Sequence, residues 1–225
     1  SDDTPQARGS IVDPKDGIGE VLALDAARGL LDSGNAQGAL AALDPILAAN
    51  PENHQARVTR ILSLVTLGDL KRAESEAQQA LALAIADDAV SSVLAGRARG
   101  VLASVYRLEG KNVEAEAGYR RTLADDPGND AASVDFARLL SETDRTDEAM
   151  KLLSGIIARD ARNGMALAAR FQLETRRGDG AARLKTAREL ADARVGDPQT
   201  LIEAAKLLGD AGDPARASLC YEMVL

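Results

Sequence analysis

The sequence predicts an all-α chain of six stacked helical hairpins, and three observations carry that prediction. The composition is 45% apolar yet only 2% aromatic, with no Trp, so the core is built from Ala, Leu and Val, whose small side chains let helix axes come close. Apolar residues recur at i, i+3 and i+4 on either side of a Gly-centred break. The break itself recurs: a Gly, or once an Asp, ends an apolar stretch at Gly34, Gly68, Gly110, Asp144, Gly178 and Gly212, with gaps of 34, 42, 34, 34 and 34 residues.

Residues 1–19, SDDTPQARGSIVDPKDGIG, are rich in Pro, Gly and Asp and read as a flexible leader. Counting each unit from 14 residues before its break gives starts at Glu20, His54, Gly96, Asp130, Gly164 and Pro198, so the hairpins occupy residues 20–225. In the second unit, Val58, Ile61, Leu62 and Val65 form the apolar stripe of one helix, and Ala73, Ala77, Ala80 and Leu81 that of the next. Residues 111–130, KNVEAEAGYRRTLADDPGND, form the second half of a unit: an apolar run, Tyr119, a Pro-Gly turn and Asp130 as a cap. A small residue stands five positions after most breaks, at Ala39, Ala73, Ala115, Ala149 and Ala217, whereas the fifth unit has Arg183 there beside Ala182.

Two irregularities interrupt the pattern. The 42-residue gap adds about eight residues around IADDAVSSVLAG, residues 85–96, which keep apolar spacing and contain no Pro. They are expected to lengthen two helices and to bend or widen the stack there. Leu225 falls inside the second helix of the sixth unit with no polar stop, from which the natural protein is expected to continue.

With a 34-residue period and these residues at these positions, the chain resembles the tetratricopeptide repeat (TPR) family over residues 20–225. Ala27, Ala103, Ala137 and Ala205 fall at position 8, where the two helices of a unit touch; Ile61 and Phe171 depart from that. Tyr119 and Tyr221 fall at position 24, Tyr106 at position 11 and Phe136 at position 7, all core positions, while Pro51 and Pro127 at position 32 end second helices. One hairpin cannot bury its apolar face alone, but a stack of them can. The resemblance implies an all-α, right-handed superhelical solenoid of about six hairpins, whose first helices line a concave groove that binds a protein or peptide.

The residues point away from catalysis. A single His, His54, sits at a helix start, and a single Cys, Cys220, packs in the last helix, so neither a zinc site nor a Cys–His dyad can be assembled. DGIG at residues 16–19 lacks the full phosphate-binding pattern, and DDPGND at 125–130 has acids without calcium-loop spacing. No catalytic, cofactor-binding or metal-binding residue is therefore assigned. Net charge is −8 and the pI about 4.8, which disfavours nucleic acid and anionic membranes as partners. No apolar run approaches the length of a membrane span.

The groove positions that the resemblance implies are 2, 5, 9, 12 and 13. They hold Arg28, Arg97, Arg107, Arg138, Arg176 and Lys206, with the polar Ser104 and Gln172, against the acids Asp32, Glu142 and Asp210. This local basic excess is expected to receive an acidic or carboxylate-bearing peptide, because guanidinium groups bind carboxylates bidentately. Position 5 holds Leu24, Val58, Gly100, Val134, Ala168 and Ile202, so the Lys and Asn clamp of chaperone-binding family members is absent and part of the groove is apolar. The expected role is a non-enzymatic scaffold or adaptor. An Ala-rich and Arg-rich composition points to a bacterial source, in cell-envelope assembly, secretion or polysaccharide export. The start at Ser1 rather than Met favours a periplasmic over a cytoplasmic post. The alternative is a substrate-recruiting arm of a larger enzyme, such as a glycosyltransferase or sulfotransferase, continuing past residue 225.

Overall fold

A computed structural model describes residues 14–86 and 92–225 of the chain. Among the described residues it holds twelve helices and no strand: α1 Pro14–Asp32, α2 Ala36–Ala49, α3 His54–Thr66, α4 Leu70–Ala86, α5 Ser92–Leu108, α6 Asn112–Asp125, α7 Asp130–Glu142, α8 Thr146–Arg159, α9 Gly164–Arg177, α10 Gly180–Ala193, α11 Pro198–Asp210 and α12 Pro214–Glu222. They form two compact units, Ser1–Val105 and Tyr106–Leu225, divided inside α5.

Each hairpin turns at the predicted break because the backbone there is left-handed. Gly34, Gly68, Gly110, Gly178 and Gly212 have φ between 69° and 83°, and Asp144 has φ 61°. The conformation lets two N–H groups fold back onto the helix end. In the first hairpin, Asn35 N–H donates to the Leu30 carbonyl at 2.8 Å and Gly34 N–H to that of Leu31 at 2.9 Å; in the last, Asp213 and Gly212 repeat the pair on Leu208 and Gly209. All six second helices consequently begin on the same register position, from Ala36 to Pro214. An added Cβ at any of the five glycines would meet nothing within 4 Å, so only the backbone conformation selects glycine.

First helices start by side-chain capping. Asn53, Asn129, Asn163 and Asp197 accept the N–H groups of Ala56, Ala132, Ala166 and Thr200. The cap expected at Asp130 is therefore Asn129, and Asp130 is the first helical residue. Four first helices start where the register places them, at His54, Asp130, Gly164 and Pro198. The other two start earlier. α1 begins at Pro14 instead of Glu20, so residues 14–19 of the expected leader are helical; Pro suits a first helical position because its fixed φ is already helical and the missing N–H would be unpaired there. Residues 1–13 lie outside the described residues. α5 begins at Ser92, and α4 and α5 are 17 residues each against 13 or 14 in most other hairpins, as the extended apolar spacing predicts; residues 87–91 of that insertion lie outside the described residues.

Packing inside each hairpin explains the two departures at position 8. Where position 8 is Ala, position 24 is large: Ala27 with Leu43, Ala137 with Leu153. Where position 8 is large, position 24 shrinks to Ala: Ile61 with Ala77, Phe171 with Ala187. All eight of these residues are buried. The helix contact thus keeps a roughly constant volume by exchanging which helix supplies it. In the C-terminal unit, Phe171 and Ala187 join Leu190, Leu201, Ala205, Leu208 and Cys220 in one cluster; in the N-terminal unit, Leu24, Ala27, Leu43, Ile46 and Ala56 form another.

Leu62, at position 9, is 44% exposed, while Ile61 and Leu64 of the same helix are buried. One expected core residue is not buried. Tyr221, on α12, the last helix of the sequence, is 43% exposed, whereas Tyr119 at the same register is buried and stacks on Phe136 with ring centroids 5.8 Å apart.

Candidate functional site

In the C-terminal unit, the end of α5 with α7, α9 and α11 presents Arg107, Arg138, Gln172, Arg176 and Lys206 at the expected positions. The structure distributes their charge unevenly. Arg107 is largely buried, and its Nη1 donates to Glu142 at 2.8 Å. Burial by itself lowers the Arg107 pKa, but the hydrogen bond and charge of Glu142 outweigh it and hold the guanidinium charged. Its Nε is buried without a hydrogen-bond partner, so Arg107 is committed to the protein itself. Arg138 is exposed and bound at 2.9 Å to Asp135, three residues earlier on α7. Arg176 is exposed and donates to the Ser141 hydroxyl at 3.2 Å.

Two of these contacts share one register. Arg107 reaches Glu142, and Arg176 reaches Ser141, each across 35 residues, from position 12 of one hairpin to position 13 of the next or the reverse. The first-helix face is thereby laced from hairpin to hairpin. Lys206 and Asp210 are exposed on α11, Gln172 is half-buried on α9, and Met165, at the start of α9, is 53% exposed. Val134 and Ala168 of the same helices are buried in the core. The exposed face is mainly polar, with Arg138, Arg176 and Lys206 as its outward cations.

The N-terminal unit differs. Arg28 is exposed, lies 3.6 Å from Asp25 and donates to Gln55 at 3.2 Å, and Arg97 is exposed on α5. The Ser104 hydroxyl is turned inward, donating to the Gly100 carbonyl at 3.1 Å. Between the arginines, α3 offers Val58, Leu62 and Val65, so this part of the face is apolar. Sequence reasoning placed these cations on one face but missed Asp135 and Ser141 as partners; the Asp135/Arg138 spacing was the available signal.

Among the described residues no three His, Cys, Asp or Glu side chains are grouped to hold a metal ion, and no helix is long and apolar enough to cross a membrane.

Residues 106–173, which carry Arg107, Arg138 and Gln172, match the tetratricopeptide repeat family model. Residues 106–173 are built of tetratricopeptide repeats. Solved structures are similar in fold over most of the chain. A thermophilic TPR protein of Thermus thermophilus is similar with a TM-score of 0.65 at 16% identity, over 84% of this chain and 98% of that one. PilW, a widely conserved type IV pilus biogenesis factor, gives 0.62 at 17%, over 91% and 90%. A Rap protein solved with competence and sporulation factor gives 0.67 at 14%, over 95% of this chain and 64% of that one. No curated protein matches the chain in sequence.

Proposed function

We propose that this TPR chain is a non-enzymatic scaffold that holds a protein or peptide segment against its first-helix face. The observation that carries the reading is the C-terminal face itself: Arg138, Arg176 and Lys206 are exposed on α7, α9 and α11, and Met165 at the start of α9 is 53% exposed. Such a surface suits a segment that offers carboxylates to the cationic rim. The similarity to PilW, and to a Rap protein solved with a bound factor, supports a partner-binding role, and PilW favours cell-envelope assembly as its setting.

Arg107 is a poor probe of this reading, because its loss would strand Glu142. The test is affinity capture from lysate of the source organism with the wild-type chain and an Arg138→Glu/Arg176→Glu/Lys206→Glu variant, after circular dichroism shows equal helicity. A protein retained by the wild type and lost by the variant supports the reading. Identical sets from both would overturn the role of the rim.

A further inference from the structure

The fifth hairpin contains a buried ionic cluster that neither the repeat pattern nor partner binding requires. On α9, Glu174 is 4% exposed and occupies position 11, where Tyr106 stands in the third hairpin. Its Oε2 accepts the Thr186 hydroxyl at 2.6 Å. Its Oε1 lies 3.6 Å from Arg170 Nε, too far for a hydrogen bond. Arg170 is engaged elsewhere: Nε donates to the Thr186 hydroxyl at 3.1 Å and Nη2 to Glu189. Two carboxylates therefore share one guanidinium, and of the two only Glu174 is shut away from water, Glu189 being 34% exposed.

The neighbouring cations correct this balance only in part. From α10, Arg183 lies over the Phe171 ring at 4.8 Å and reaches Glu203 of α11 only at 4.0 Å, with its Nε buried and unpartnered. Lys185 is exposed and 4.0 Å from Glu189; its charge favours the Glu174 anion, but Asp179, the α10 cap, opposes it with a negative charge. The polar groups from α7 and α8 face other residues of α9, Ser141 meeting Arg176 and Asp147 meeting Arg177. A buried anion with half a counter-charge is costly, and a proton removes the cost.

We propose that the α9–α10 hairpin is a proton-binding element, in which the Glu174 carboxylate takes one proton from solvent and, once neutral, tightens the hairpin that carries Met165, Gln172 and Arg176 of the first-helix face. Only one bond forms, an O–H on the carboxylate, and Arg170 is left with Glu189 as its single anionic partner. Burial pushes the Glu174 carboxyl above the usual range, in keeping with the geometry. Stability linked to such a group rises as pH falls from neutral toward the carboxyl's unfolded value. The inference is independent of any bound partner.

The test is native-state hydrogen exchange of the whole chain between pH 7.5 and 5, corrected for intrinsic exchange chemistry. Protection of α9 and α10 amides is expected to rise as pH falls, by at most about tenfold per pH unit for one proton, while α7 and α8 lack that rise. Glu174→Gln, a permanently neutral isostere, is expected to flatten the response. If Glu174→Gln fails to fold, Glu189→Gln serves instead: it leaves Arg170 to Glu174 and is expected to shrink the response. An unresponsive wild type, or a response unchanged in the variant, would overturn the proposal.

Discussion

Asn163 binds two helices at once: its Oδ1 accepts the Ala166 N–H at 3.0 Å, capping α9, while its Nδ2 donates to Asp130 at 2.9 Å, the first residue of α7. Asn53 repeats the arrangement in the N-terminal unit, capping α3 and donating to Glu20. The cap that starts one first helix therefore also fixes it to position 1 of the previous unit, Asp130 for Asn163 and Glu20 for Asn53. Asn163→Ala is expected to lower stability by about 1–2 kcal/mol, the usual cost of a lost cap and a strained neighbour. Asn163→Asp keeps the cap but sets a carboxylate against Asp130; its loss at neutral pH is expected to shrink in an Asp130→Asn background. Urea midpoints of the four proteins decide this.

The exchange of large and small residues at positions 8 and 24 makes a separate prediction. Phe171→Ala alone leaves a cavity beside Ala187 and is expected to cost about 3–5 kcal/mol. Ala187→Leu alone overfills the contact and is expected to cost about 1–3 kcal/mol. The double variant recreates the Ala137/Leu153 arrangement of the fourth hairpin, so its loss is expected to fall well below the sum. A double-mutant cycle measures the coupling, and simple additivity would refute the exchange.

Asp144 is the one left-handed turn residue with a side chain among the six hairpin turns. Asp144→Gly is expected to stabilise the chain by about 0.5–1 kcal/mol, since an L residue in that conformation costs about 1–2 kcal/mol and glycine returns part of this as unfolded-state entropy. Gly178→Ala is expected to destabilise by a similar amount, with no steric contribution. Thermal midpoints of both variants give the sign.

Acid sensitivity should centre on Arg145. It donates to Glu116 at 2.8 Å and to both oxygens of Glu148 at 2.7 and 2.8 Å, and these bonds hold both carboxyls below the usual range. A carboxyl depressed in the folded state gives stability that is complete above its unfolded value, roughly pH 4, and lost as pH falls through the folded value. Arg145→Met is expected to make the acid limb of a stability-against-pH curve shallower. Glu174 acts in the opposite direction, since its carboxyl is raised.

The register of the fold was legible because it is written in local backbone chemistry. Gly34 and its equivalents permit φ above zero at little cost and recur at a fixed spacing, and Pro51 and Pro127 follow the ends of α2 and α6. The hydrogen-bond partners of the expected cations were not legible. Whether Arg107 is free or tied to Glu142 depends on how two hairpins stack, 35 residues apart, and Glu174 shows its burial only when α10 closes over it.

The exchanged pairs also dictate where the gene could be cut. Both members of a pair belong to one hairpin, so excising residues 164–197 would remove Phe171 together with Ala187 and leave every remaining match intact. Excising residues 178–211 would delete the same length, yet it would splice the Phe171 half of one hairpin to the Tyr221 half of another and bring two bulky rings to one contact. Duplication and loss of repeats can therefore proceed at the Asn-capped seams and not at the glycine turns.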